Sequence, residues 1–185
     1  ARQLSRWTSQ YKATELQTIL AMDELSHWLA NNLPAEDDRV CLVHGDFRLD
    51  NMMFVKNSHE IMAILDWELS TLGHPFADLA YQCMQLRMPP GMGNIEGLQG
   101  INRQDLGIPT EEEYVALYCQ RMGIDQIEHW TFYLAFSFFR LAAIAQGVAK
   151  RAAQGNASNK HANKVGAFVA PLAQMALTII EQDSH

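Results

Sequence analysis

The chain has 185 residues, of which 48% are hydrophobic and 19% charged, with a formal net charge of -7. Such a chain is long enough for one well-cored globular domain, and its acidic balance leaves no footprint for nucleic acid. Three cysteines, Cys41, Cys83 and Cys119, are odd in number, widely spaced and set in apolar surroundings. They read as buried free thiols in a reducing, cytoplasmic compartment rather than as disulfides. No run of ~18 apolar residues suggests a membrane span, and no signal-peptide pattern is visible. The first residue is Ala1 rather than Met, which hints at processing or at an excised segment.

In chain order, Arg2 to Gln10 predicts a short helix carrying Leu4 and Trp7. Thr14 to Asn32 predicts a second, with Leu16, Ile19, Leu20, Met22, Leu25, Trp28 and Leu29 on helical spacing, and Pro34 ends it. Val40 to Val43 reads as a short buried strand. Met52 to Val55 and Ile61 to Leu65 read as two strands joined by the polar turn Lys56-Asn57-Ser58-His59. Leu69 to Pro75 is expected to be a loop punctuated by Gly73 and Pro75, and Phe76 to Arg87 a helix. Met88 to Gly107 is the least regular stretch, with Pro89-Pro90 and five glycines. It is expected to be a substrate lid or, equally, a loose surface insertion. Met84, Met88 and Met92 beside it could line an apolar pocket, although methionines are more often core filler. Thr110 and Glu113 form a capping-box pattern for a helix that runs to Met122 and stops at Gly123. Asp125 to Gln154 predicts one long helix, apolar nearly all round and hence central. Arg140 inside it should pair with an internal Asp or Glu, a ligand anion being the alternative. A turn over Gly155 to Asn159 leads to a last helix from Asn159 to Gln182. No internal repeat or low-complexity segment occurs.

The chemistry-bearing stretch is His44-Gly45-Asp46-Phe47-Arg48-Leu49-Asp50-Asn51, followed by Asp66-Trp67-Glu68. The intervening hairpin should return Asp66 to the neighbourhood of Asn51, bringing Asp46, Asn51 and Asp66 to one mouth. Phosphoryl transfer needs one carboxylate to accept the proton of an attacking hydroxyl, and an amide oxygen and a second carboxylate to hold magnesium against a triphosphate. The spacing H-x-D-x-x-x-x-N, then a hairpin and Asp, matches the catalytic and metal loops of kinases. Asp46 is the candidate base, and Asn51 and Asp66 the candidate metal and nucleotide ligands. Arg48 is placed to offset charge on the transferring group, with a surface ion pair as its alternative. Asp50 reads as a loop stabiliser, His44 and His74 as packed supports, and Trp67 as packing. Glu68 could add an outer contact to a metal, and Asp78 should hydrogen-bond catalytic-loop backbone. Gly45 stands where protein kinases carry an Arg that receives an activation-loop phosphate, which argues against phosphorylation control and against a protein substrate.

His44-Gly45-Asp46-Phe47-Arg48-Leu49-Asp50-Asn51, together with the run from Ile64 to Tyr81, resembles the aminoglycoside phosphotransferase and choline kinase-like superfamily of small-molecule kinases. Gly107 to Thr110, Tyr118-Cys119 and Ala145 to Val148 extend the likeness to the kinase-like domain fused to some large acyl-CoA dehydrogenases, and to its free-standing bacterial relatives. The resemblance implies an α+β, mostly helical fold equivalent to the C-terminal lobe of a protein-kinase-like enzyme, with a small β-hairpin carrying the catalytic and metal loops. Residues 1–185 would form that single domain. Nothing before Val40 has strand periodicity, and Lys12 is the only lysine before Lys56, so the N-terminal lobe with its phosphate-covering loop and strand Lys is expected to belong to a longer parent chain. The implied activity is ATP- and Mg2+-dependent phosphorylation of a hydroxyl on a small molecule, a hydroxyacyl-CoA or hydroxy acid rather than an aminoglycoside, with the isolated chain inactive. The expected partners are that substrate and the N-terminal lobe, with neither nucleic acid nor membrane, and a homodimer is conceivable through the exposed lobe interface. Two other readings stand beside it: a non-catalytic module that binds nucleotide or a partner, and a metal-dependent hydrolase built on His44, Asp46, Asp66 and His74. The second lacks the usual zinc-ligand spacings.

Overall fold

The computed structural model describes residues 1–35, 37–92, 96–155 and 165–183. The chain is mostly helical, with two small antiparallel sheets. Helix α1 spans Arg2–Thr14 and α2 Leu20–Asn31. Strand β1 is Cys41–Val43, β2 Met52–Phe54, β3 Ile61–Ile64 and β4 Thr71–Gly73. Helix α3 is Phe76–Arg87, α4 Glu111–Met122, α5 Trp130–Ala153 and α6 Val169–Asp183.

Helix α5 is the axis of the core. Leu134, Ala135, Phe138, Phe139, Ala142 and Ala143 along it are all fully buried, and α1, α2, α3 and α6 pack around it. Its 24 residues make it the one helix among the described residues that is long and apolar enough to cross a membrane. This corrects the expectation that no segment is apolar enough. Yet 78% of its apolar window is buried inside the molecule, so neighbouring helices cover the faces that lipid would need. Each large apolar side chain held there contributes about 1.5–3 kcal/mol. The helix starts at Trp130 rather than Asp125, because His129 takes a left-handed conformation (φ 57°) and turns the chain into it.

A corner replaces the expected boundary between the first two helices. Helix α1 runs on to Thr14, whose hydroxyl donates back to the Gln10 and Tyr11 carbonyls at 2.9 and 3.1 Å. Lys12 then bridges Glu15 and Asp23 across the bend. Leu16 and Leu20, which read as inward positions of one continuous helix, are exposed, while Met22, Leu25 and Leu29 are buried.

Residues 69–75 do not form a simple loop. Strand β4 lies within them and pairs antiparallel with β1, matching Cys41 with Gly73 and Val43 with Thr71. Gly73 fits because a Cβ there would come within 3.1 Å of the Val43 side chain. The other sheet is the expected hairpin, with Met52 opposite Ile64 and an irregularity between Met53 and Phe54. Asn57 takes the left-handed turn position (φ 60°).

Helix α4 begins with a complete capping box. Thr110 accepts from the Glu113 amide at 3.2 Å, and Glu113 accepts from the Thr110 amide at 2.8 Å. The irregular stretch before it is pinned where it is described. Leu98 and Gln99 donate their amides to the Gln85 and Met88 carbonyls at 3.0 and 2.9 Å. Met84 and Met88 belong to the core, and Met92 lines a cavity of about 690 Å³ together with Arg103. The turn expected after Gly155 and the start expected for the last helix fall on residues 156–164, outside the described residues. Where the description resumes, a 3-10 turn at Gly166–Phe168 leads into α6.

Candidate active site

Strand β1 delivers the chain into the loop at His44, which is 2% exposed. Asp78, in the first turn of α3, grips this loop from below. Its Oδ2 accepts from the His44 amide at 2.7 Å and its Oδ1 from the Gly45 amide at 2.9 Å. An ionised acceptor with two backbone donors is a strong anchor for a sharp turn. Gly45 adopts φ +87°, and a Cβ there would sit 2.5 Å from the Leu69 carbonyl oxygen. The residue type is thus dictated by backbone conformation and close approach.

The His44 ring ties the loop to the far side of the hairpin. Its Nε2 lies 2.8 Å from the Leu65 carbonyl, which can only accept, and its Nδ1 takes the Asp46 amide at 3.1 Å. The ring proton therefore sits on Nε2. Trp67 lies over this imidazole at 4.6 Å between centroids, while its indole N–H donates to the Ile64 carbonyl at 2.9 Å. Both imidazole nitrogens are thereby committed to backbone groups, Nδ1 within the loop and Nε2 at the end of β3.

Asn51 closes the loop. Its Nδ2 donates to the Asp46 carbonyl at 2.8 Å and to Asp46 Oδ2 at 2.9 Å, and it is 8% exposed. Its own carbonyl accepts the Leu65 amide at 2.8 Å, so Asp66 is one residue away from a direct link to Asn51. The geometry brings Asp46, Asn51 and Asp66 into one neighbourhood at the strand ends. Asp66 is exposed and takes the left-handed region (φ 64°, ψ 53°) before a 3-10 turn at Trp67–Leu69. A non-glycine residue held there is strained, and such strain concentrates at functional sites.

Arg48 leans over the same carboxylate. Its Nε is 3.4 Å from Asp46 Oδ2, and its Nη1 is 3.1 Å from Asp50 Oδ2. Both nitrogens are buried and neither meets hydrogen-bond geometry, so the pairing is an electrostatic contact rather than a directed bond. Asp50 is thereby an ion-pair partner. Glu68 is exposed at the rim. His74 stands apart from the loop: its Nε2 is 3.2 Å from Asp37 Oδ2, and its ring packs on Phe76 and Tyr133.

Two residues beneath Asp46 were not singled out for it from the sequence. Tyr81, 2% exposed on α3, has its phenol pushed far up by burial, and the Asp46 carboxylate pushes in the same direction while Arg140 and Arg48 oppose. Arg140 is 7% exposed. Among the described residues it has no Asp or Glu partner, against the expectation of an internal ion pair. Its guanidinium instead lies over the rings of Tyr81 at 4.6 Å and Trp7 at 5.8 Å. Tyr81 ends the run that carries the family resemblance, but an aromatic inside an apolar helix reads as core and gave no reason to place it beside Asp46.

The donor set fits magnesium held jointly with a nucleotide. Asn51 spends its amide nitrogen on Asp46, and its side-chain oxygen has no hydrogen-bond partner among the described residues; Asp66 forms no ion pair among them either. Magnesium is normally held by one or two carboxylates plus substrate phosphates rather than by an all-protein cage. No group of three or more His, Cys, Asp or Glu placed to hold a metal occurs among the described residues.

The chain is similar to several known proteins. The family model described as phosphotransferase enzyme family matches residues 1–115. Acyl-CoA dehydrogenase family member 10 of Mus musculus is 49% identical over 175 residues, covering 95% of this chain and 16% of its own length. Acyl-CoA dehydrogenase family member 11 of Rattus norvegicus is 46% identical over 179 residues, covering 96% of this chain and 23% of its own. The crystal structure of a "putative aminoglycoside phosphotransferase" from Ralstonia eutropha JMP134 superimposes with a TM-score of 0.91 at 46% identity, over 98% of this chain and 55% of that one. The chain thus spans less than a quarter of these curated relatives and about half of the solved structure.

Proposed function

Since the chain belongs to the phosphotransferase enzyme family, we propose that it carries the catalytic and metal loops of an ATP- and Mg2+-dependent enzyme that phosphorylates a hydroxyl on a small molecule. The observation that carries this reading is the bond from Asn51 Nδ2 to Asp46 Oδ2 at 2.9 Å, with Asp66 set beside Asn51 by the hairpin. Asp46 accepts the proton of the attacking hydroxyl, and Asn51 holds its carboxylate in place for that task. Asn51 and Asp66 would hold the metal. When bound, that ion neutralises the phosphates and keeps them in line. Arg48 offsets negative charge on the transferred group, Asp78 and His44 fix the loop, and Glu68 adds an outer contact at the rim.

Residues 1–185 are read as the C-terminal lobe of a kinase-like fold. The likeness to a solved chain of which they cover 55% supports this. So does a run of exposed apolar side chains on the two sheets, among them Leu42, Met53, Phe54, Ile61, Met62 and Leu72. An apolar face of that kind suits a partner surface, and the partner proposed is the N-terminal lobe of the same protein, with self-association as its substitute when that lobe is missing. The acceptor proposed is a hydroxyacyl-CoA or hydroxy acid; the relatives' names carry acyl-CoA, and the hydroxyl is what the proposed reaction requires. A cytoplasmic setting suits the free thiols.

Calorimetry with Mg·ATP tests the assignment. The full-length protein should bind it, Asp66→Ala should remove most of the magnesium dependence, and this chain alone should bind poorly. Micromolar binding by this chain alone would contradict the half-site, and unchanged magnesium dependence in Asp66→Ala would remove Asp66 from the metal.

A further inference from the structure

Helix α3 carries Asp78 in its first turn and Tyr81 three residues on, a spacing that puts both on one side of the helix. Asp78 holds the backbone of the Asp46 loop. Tyr81 addresses the side chain of the same loop: the Asp46 carboxylate acts on its phenol both as a charge and as a hydrogen-bond acceptor. Tyr81 is 2% exposed and belongs to the core. Burial pushes the phenol far up, so the hydroxyl keeps its proton, and toward an ionised carboxylate it can only donate.

A general base works only when its carboxylate is held in the right direction. Asn51 Nδ2 bonds Asp46 Oδ2 at 2.9 Å, and Arg48 Nε lies 3.4 Å from the same oxygen. Both come from the loop itself and move with it. Tyr81 comes from a helix packed against α5, and groups on rigid elements hold a site more closely than groups on loops. Its ring is itself fixed. The Arg140 guanidinium lies over it at 4.6 Å and over Trp7 at 5.8 Å. Arg140 Nε and Nη2 are buried without an acceptor among the described residues, a costly arrangement that the two ring faces partly offset.

We propose that Tyr81 is a positioning residue for Asp46: its hydroxyl donates to the carboxylate from the core, and Arg140 over its ring holds that hydroxyl in place. Tyr81 has this role only if Asp46 is the base, as proposed above.

Two readouts on the full-length protein test it. Without nucleotide or magnesium, the 13Cζ resonance of Tyr81 should move in Asp46→Asn, and also in Arg140→Met, which strips the cation from the ring. A resonance unmoved in either variant would overturn the proposal. The second readout is turnover of Mg·ATP, by transfer to 3-hydroxybutyryl-CoA or to water. Tyr81→Phe keeps the ring and removes only the hydroxyl. It should lower kcat about 10- to 100-fold, the range of a hydrogen bond to a charged group, with KM for Mg·ATP within about twofold. Made in Asp46→Asn, the same change should cause no further fall, because Tyr81 acts through that carboxylate. Wild-type kcat in Tyr81→Phe beside an impaired Asp46→Asn would overturn the role of Tyr81 and leave Asp46 as the base. Equal falls in the two backgrounds would reduce Tyr81 to packing. Undiminished turnover in Asp46→Asn would remove the base itself, and the role of Tyr81 with it.

Discussion

Asn51 Nδ2 holds both the carbonyl and the carboxylate of Asp46, at 2.8 and 2.9 Å. One buried amide therefore sets both the loop's closure and the direction of its acidic side chain. Replacing it as Asn51→Ala should lower unfolding stability by about 1–3 kcal/mol, the cost of leaving buried polar groups unmatched. Urea unfolding checks this, and a loss below about 0.5 kcal/mol would mean that the loop is held by Asp78 and His44 alone.

The loop's glycine offers a graded comparison. At Gly45 a Cβ would meet the Leu69 carbonyl oxygen at 2.5 Å with φ at +87°, whereas at Gly107 (φ +68°) nothing lies within 4 Å. Gly107→Ala should cost about 1 kcal/mol from backbone strain alone. Gly45→Ala should cost clearly more, because strain and collision add. Thermal melts of the two variants decide this, and equal shifts would contradict the close approach.

Asp37 gives a pH signature. Burial pushes its carboxyl up, but hydrogen bonds from Arg39 and His74 outweigh it and bring the pKa from 3.8 to about 2. A carboxyl depressed in the folded state adds stability above its unfolded pKa, and that stability is lost as pH falls from about 4 toward 2. Unfolding measured across this window should show a steeper loss in the wild type than in Asp37→Asn. Parallel curves would show that the Asp37 cluster is not formed.

Glu111, 6% exposed, accepts both the Arg87 fork and the Trp130 indole N–H at 2.9 Å. Glu111→Ala leaves a partly buried cation without its partner and should cost about 3–5 kcal/mol, while the double change Arg87→Met with Glu111→Leu should recover much of it. A double variant no more stable than the single one would show that packing, not charge, sets the loss.

The thiols should separate by burial. Cys83 is fully buried, its thiol pushed up to about 12 by burial and by Glu111. Cys119 is also buried, while Cys41 is only partly covered, against the expectation that all three are inside. Ellman's reagent near pH 8 should titrate Cys41 first and the other two only after unfolding. Rapid reaction of Cys83 would contradict the packing of α3.

Local signals carried much of this molecule. The capping box of Thr110 and Glu113 is a four-residue pattern and marked the start of α4 correctly. The Asp46, Asn51 and Asp66 neighbourhood was legible because fixed spacing plus a hairpin leaves the chain few ways to arrange them. Features that depend on distant partners were not legible. Strand β4 is three residues long and contains a glycine, and only its pairing with β1 makes it a strand. The corner after Thr14 hid because Leu16, Ile19 and Leu20 happen to continue the helical period. Arg140 was readable as buried, but its neighbours came from α1 and α3, and they proved to be aromatic faces rather than a carboxylate.

The central claim is that Asp46 is the base of a phosphoryl transfer. Its most direct test is transfer of labelled γ-phosphate from ATP to a panel of small hydroxylated acceptors by the full-length protein, with Asp46→Asn assayed in parallel. The account predicts a phosphorylated product from the wild type and a fall of about 10²–10⁴-fold in the variant, with Mg·ATP still bound. Equal turnover by the two proteins would contradict it.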